Sequence, residues 1–190
     1  WVIADSKGNG GVVVFTDASI PFAKGKSDEI VARLKTCESL NVLETANIPI
    51  GDTISTLVAA KTTALVAQYG DKWTHSISIN GGLYITPMAA ALRAAGKSGT
   101  GYPHNVGAGD GSADEYARIT AGEYQSVTVP EPLTMQGWQI VDEFNRAFAG
   151  QKPSGYVPVV HLVTKENAGT STVWDPQNGY AAAYKKIWGK

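Results

Sequence analysis

Four polar residues, Lys24, Asn80, Asp110 and Glu131, recur at positions from which a bound molecule can be held. Asp and Glu accept hydrogen bonds, Lys donates, and Asn does both. A carbohydrate matches such a set, because each of its hydroxyls is both donor and acceptor. Charge-assisted bonds to it would supply orientation and affinity. Ordinary helix caps and solvated turn residues are the competing explanation for any one of the four.

Other chemistries lack their signatures. There is no G-x-S-x-G elbow for an activated serine and no G-x-x-x-x-G-K-[ST] phosphate loop. Gly107-Ala-Gly109-Asp-Gly111 lacks the G-x-G-x-x-G spacing and reads as a glycine-tight turn that presents Asp110. His75, His104 and His161 fall within or beside expected strands and are read as structural. Cys37 is alone, so no internal disulfide and no multi-cysteine zinc site can form, and a buried, inert thiol is expected. No metal, no cofactor and no catalytic residue is expected.

The elements that must position the four residues follow from hydrophobic periodicity. Val12 to Phe15 is a continuous apolar run and reads as a strand buried on both faces. Lys24 to Thr36 reads as an amphipathic helix, Asn41 to Thr45 as a strand, and Ile54 to Tyr69 as a second helix stopped by Gly70. Thr74 to Ile79 is a third strand. Leu83 to Ala95 is an alanine-rich helix that tolerates Pro87 only in its first turn. Asn105 to Ala108 is a fourth strand. Ser112 and Glu115 have the spacing of a capping box for a helix through Ile119. Tyr124 to Val129 is a fifth strand, Pro132 to Ala149 a helix, Val157 to Thr164 a sixth strand, and Asn178 to Trp188 a final helix. Repeated β-then-α order predicts an α/β fold: a parallel sheet of about five to six strands with helices on both faces, in three αβα layers. Ligands then belong in the loops after the strands, near residues 16–24, 46–52, 80–84, 109–112 and 130–132.

Composition narrows the function classes. The chain has 190 residues, 43% hydrophobic, which is enough to bury a core. Sixteen Lys+Arg against 17 Asp+Glu leave a net charge of −1, without the basic surplus of a nucleic-acid binder. No run of 18 apolar residues occurs. The first residue is Trp1, and no signal peptide is visible in this chain.

Four stretches resemble a known family. They are Gly109 to Gly122 (a G-x-D-G-type strand end and the following helix), Val127 to Gly137 (like T-V-x-Q-x-P-x-x-Q-G), His161 to Asn167 (like a terminal l-V-T-k-e-N), and Ile79-Asn80 before an alanine-rich helix ending Ala94-Ala-Gly-Lys97. In order and spacing they resemble the C-terminal part of type I periplasmic sugar-binding proteins, the ribose-binding-like solute receptors of ABC transporters. The resemblance covers residues from about 12 to 167.

That resemblance implies two lobes joined by crossovers, with sugar bound between them by hinge closure about residues 129–132 and 163–167. Residues 1–131 would be the core of the C-terminal lobe. Residues 132–163 would be a returning helix and strand packed on a missing N-terminal lobe or on another copy of the chain. Residues 164–190 would extend back over the C-terminal lobe. By position, Asn80 and Asp110 match the family's ligand-binding Asn and Asp. Glu131 falls at a hinge Gln, Lys24 at an Arg, and Ile50 near an aromatic contact. Gly81 replaces the Asp that often follows the Asn. The implied partners are a sugar or related polyol and the transporter's membrane subunits, with no nucleic acid. The implied location is the periplasm, or the cell exterior as a Gram-positive lipoprotein. A LacI-type regulator's effector domain, which shares the fold, is the alternative. An α/β enzyme using Asp110 and Glu131 as acid and base is a third reading.

Overall fold

The computed structural model describes residues 1–189. The chain forms α1 (Val2–Asp5), β1 (Gly10–Thr16), α2 (Pro21–Leu34), β2 (Leu40–Asn47), α3 (Ile54–Tyr69), β3 (His75–Ser78), α4 (Gly81–Ala94), β4 (His104–Gly109), α5 (Ala113–Ala121), β5 (Val127–Pro130), α6 (Leu133–Phe148) and α7 (Tyr180–Ile187). All five strands are parallel, in the order β2-β1-β3-β4-β5.

The run Val12 to Phe15 is fully buried because both faces of β1 are covered. Val13 and Phe15 meet Ile54, Val58 and Leu65 of α3 and Tyr84, Met88 and Leu92 of α4. Val12 and Val14 point the other way, toward Leu34 and Ile30 of α2, Val2 of α1, and Ile77, Val106 and Val127 of the neighbouring strands. Alternation within one strand thus feeds two cores, which is why a strand of this kind reads as unbroken apolar sequence. On the α1–α2 face the cover is incomplete. A groove of about 800 Å³ lies there, lined by Ile77, Val106 and Val129 with Trp1 and Val160 at its rim.

Three sequence expectations need correction. Asn80 caps α4 by accepting from the Leu83 amide at 3.0 Å, so the helix starts at Gly81 and not at Leu83. Pro87 therefore sits inside the helix, beyond the first turn, where its missing N–H costs a backbone bond. The expected sixth strand, 157–164, contracts to one antiparallel bridge between Val163 and Thr128. Val157 and Val159 alternate as a strand would, but they are 80% and 78% exposed and Pro158 can donate nothing. Cys37 is half-buried rather than buried, its thiol donating to the Gly8 carbonyl at 3.3 Å.

After α6 the chain returns to the sheet. Val163 and Ala168 cover Tyr116 and Ile119 of α5, and Trp174 stacks on His161 with ring centroids 3.9 Å apart. The α7 helix then docks on α6. Trp188 stacks on Trp138 at 5.5 Å, with Tyr180 and Tyr184 beside it. Asp142 accepts from Trp188 Nε1 at 3.0 Å and from Arg146 Nε at 2.8 Å. Lys190 of the expected 164–190 extension lies outside the described residues.

The docking of α7 rests on this aromatic stack, whose pairs contribute about 0.5–1.5 kcal/mol each. Trp138→Ala is therefore expected to release α7, read as faster tryptic cleavage at Lys185 and Lys186 with little change in the midpoint of core unfolding. Unchanged cleavage would contradict this. The Trp188 and Arg146 hydrogen bonds also hold the Asp142 carboxyl below its usual value. A carboxyl depressed in the folded state contributes its stability above the unfolded-state value and loses it as pH falls through the folded one. Release of α7 is accordingly expected on acidification through and below the ordinary aspartate range.

Candidate functional site

Strand order reverses between β1 and β3, the position where open α/β sheets bind ligands beyond their carboxyl ends. At that end β3 delivers Asn80 and β4 delivers Asp110. Asn80 uses both ends of its amide. Oδ1 caps α4, and Nδ2 donates to Asp110 Oδ2 at 2.9 Å. The pair lies exposed or half-exposed at the start of two helices, α4 and α5, whose N-termini favour oxygen-rich and anionic groups. One carboxylate oxygen of the exposed Asp110 is fixed by Asn80, and the other has no protein partner among the described residues.

Gly81 is explained by what lies beneath this pair. A Cβ there would stand 1.8 Å from Glu115 Oε1 and 3.1 Å from the Gly107 Cα. Glu115 is 1% exposed. It accepts from the Ser112 amide, from Gln125 Nε2 and from Thr128 Oγ1, each at 2.9 Å. The carboxylate expected as half of a capping box thus also ties α5 to β5, and it excludes any side chain at position 81.

The remaining expected residues are placed differently. The Glu131 amide donates to Gly109 O at 2.9 Å, which sets it beside Asp110 in the chain's path. Its side chain accepts from Gln136 at 3.2 Å and pairs with Lys26 at 3.5 Å. Lys26, not singled out by sequence, also donates to Ala108 O at 3.3 Å. Lys24 lies along α2, paired with Asp28 one turn on, and makes no contact with the Asn80–Asp110 pair. Ile50 is 39% exposed on the loop after β2.

Besides Lys26, two residues at this end escaped the sequence reading. Phe22, in the first turn of α2, is 73% exposed, an aromatic in a strand-end loop. Asp17 directly follows β1 and is buried. It accepts from the Ser19 hydroxyl at 2.6 Å and amide at 2.9 Å, and from the Ile50 amide at 2.8 Å. These bonds, the Ser19 hydroxyl first, hold its carboxyl below the usual value. Its position just past an apolar run was the available signal. Asp17 clips the β1 and β2 loops together, so Asp17→Ala is expected to expose the Ile50 amide. Hydrogen exchange at Ile50 should accelerate at least tenfold, while exchange at Val13 and Val14 stays slow; equal protection before and after would contradict the clip.

No protein-family model and no curated protein sequence matches the chain. Among solved structures, its fold is that of one lobe of a type I periplasmic binding protein. It is similar to an ABC sugar transporter subunit from Rhodobacter sphaeroides (24% identity, TM-score 0.73), over 87% of this chain and 58% of that one. It is also similar to an ABC transporter solute-binding protein from Agrobacterium vitis with bound allitol (20% identity, TM-score 0.75; 88% and 58% covered). A third neighbour is a periplasmic solute-binding protein from Actinobacillus succinogenes with bound D-allose (13% identity, TM-score 0.76; 89% and 58% covered). The chain spans somewhat over half the length of these neighbours.

Proposed function

We propose that this chain is the C-terminal lobe of an ABC transporter solute receptor that binds a sugar or polyol without turning it over. The ligand would sit on the carboxyl ends of the strands, against Asn80 and Asp110. The observation that carries the reading is the Asn80–Asp110 pair: a fixed carboxylate with one free acceptor oxygen, beside two helix N-termini. Phe22 and Ile50 supply apolar surface for the faces of a sugar ring at the same end. Lys26 and Glu131 flank it.

In this reading a second lobe closes over the ligand by a hinge about residues 129–132 and 163–167. The α6 helix and the chain after it, up to but not including Val163, which packs on α5 of this lobe, belong against that second lobe. Ile140, Val141, Phe144 and Phe148 of α6 stand 47–86% exposed on one face, more apolar surface than a free helix usually shows. The closed form would be read by the transporter's membrane subunits, and the setting would be the periplasm or the cell exterior. No described helix is long and apolar enough to cross a membrane.

The test is a thermal-shift screen of the full-length protein against pentoses, hexoses and alditols. At a ligand concentration a hundred times Kd, binding adds about 2.7 kcal/mol and a shift of several degrees. A folded protein that shifts with none of them, or one that converts a sugar to product, would overturn the proposal.

A further inference from the structure

The opposite end of the sheet holds a second polar cluster that the sugar reading does not use. His75 and His104 are the first residues of β3 and β4 and lie directly across from one another in register. Asp5 closes α1 and reaches over both. Its Oδ2 is 3.0 Å from His75 Nε2 and 2.7 Å from His104 Nδ1. All three ligand-type atoms lie within 4.8 Å of one another. Asn80 is five residues further along β3 and its exit, roughly 16 Å away at strand rise.

We infer that Asp5, His75 and His104 form a binding site for a divalent transition metal, with zinc as the natural occupant. Two imidazoles and one carboxylate are the donor set of open zinc and iron sites, and they disfavour calcium and magnesium, which take oxygen ligands. A tetrahedral ion with bonds of about 2.0–2.1 Å sets its ligand atoms about 3.3 Å apart. The two edges from Asp5 are each within about 0.6 Å of that and all three atoms lie within 4.8 Å of one another, so small side-chain rotations are what a bound ion requires.

The surroundings also fit. Thr74 Oγ1 lies 2.8 Å from His75 Nδ1 and 3.2 Å from the Gly11 carbonyl. With Nδ1–H donating to Thr74 and the hydroxyl donating onward to Gly11, Nε2 turns an unprotonated lone pair toward Asp5 Oδ2 at 3.0 Å, a pairing of two acceptors that a cation between them would satisfy. A hydrogen bond from the far nitrogen that fixes ring and tautomer is the usual support of a metal-bound histidine. The rings of Tyr102 and Trp1 wall the cluster, with Tyr102 4.8 Å from the His104 ring and Trp1 6.2 Å from that of His75. The side chain of His75 is 1% exposed, and those of His104 and Asp5 are 26% and 29%. The ion thus has a buried inner ligand and two partly exposed ones through which solvent reaches it.

The tag-free full-length protein, stripped with chelator, tests this by titration with zinc chloride in a calorimeter and with cobalt(II) followed by visible absorption. The expected result is one ion per chain, with the absorption bands of tetrahedral cobalt. His104→Gln and Asp5→Asn, both at partly exposed positions, should each weaken zinc binding by at least about tenfold and abolish the cobalt bands, with the far-ultraviolet dichroism unchanged. His161→Gln should leave both intact. Two results would overturn the inference and reduce the cluster to a hydrogen-bonded staple: no stoichiometric zinc uptake by the folded wild-type chain, or uptake that both variants retain.

Discussion

Glu115→Ala is expected to destabilise the fold more than any other single change at a polar residue, by about 3–5 kcal/mol. The carboxylate is 1% exposed and satisfies three donors: the Ser112 amide, Gln125 Nε2 and Thr128 Oγ1. Removal leaves the buried Thr128 hydroxyl and the half-buried Ser112 amide without an acceptor and Gln125 Nε2 with only the Val127 carbonyl at 3.2 Å, at about 1–3 kcal/mol per lost bond before relaxation. It also leaves Arg118 without its nearest buried counter-charge. Burial lowers the Arg118 pKa, and Glu115 works to raise it. Urea unfolding followed by fluorescence checks the value, and a loss below about 1 kcal/mol would show that the network relaxes freely. Gly81→Ala is the companion variant. Its Cβ would displace the same carboxylate, so its cost should shrink once Glu115 is already alanine. The two sites therefore couple in a double-mutant cycle.

Asp110→Ala is expected to have the largest effect on ligand binding and almost none on stability. Asp110 is exposed, so its removal should change unfolding free energy by no more than about 0.5 kcal/mol. A carboxylate that accepts from a sugar hydroxyl contributes about 1.5–3 kcal/mol, which corresponds to roughly 10–150-fold in Kd. Asn80→Ala should weaken binding too, but with a stability cost, because Asn80 also caps α4. Calorimetry on the full-length protein, with any sugar that shifts its melting, separates the two variants. Wild-type affinity in Asp110→Ala would remove Asp110 from the site.

Local signals carried much of the fold. The apolar run at Val12 to Phe15, the helical spacing from Ile54 to Tyr69 and the S-x-x-E box at Ser112 each describe interactions within a few residues, and each has its expected element. Errors arose where distant chain decides the outcome. Residues 157–162 alternate as a strand does, but β5 accepts a single bridge at Val163, so the pattern has no ladder to join. The start of α4 depended on Asn80, and that start is what carried Pro87 out of the first turn.

The candidate sites divide the same way. Asn80 and Asp110 end adjacent strands and so meet. Lys24 and Lys26 differ by two residues on a helix and so face different ways, and nothing in sequence says that Lys26 is the one turned to Glu131. His75 and His104 read as structural because Asp5, which joins them, is 70 and 99 residues away in the chain.

The central claim is that a sugar or polyol sits on the carboxyl ends of β1, β3 and β4. Amide and side-chain NMR of the isotope-labelled full-length protein, titrated with the sugar that best raises its melting temperature, tests this most directly. The account predicts that the Asn80 side-chain amide and the backbone amides of residues 17–22, 80–83 and 109–112 shift together and saturate with one dissociation constant, while His75 and His104 stay still. Saturable shifts confined to any other face of this lobe, with the Asn80 amide unmoved, would contradict it.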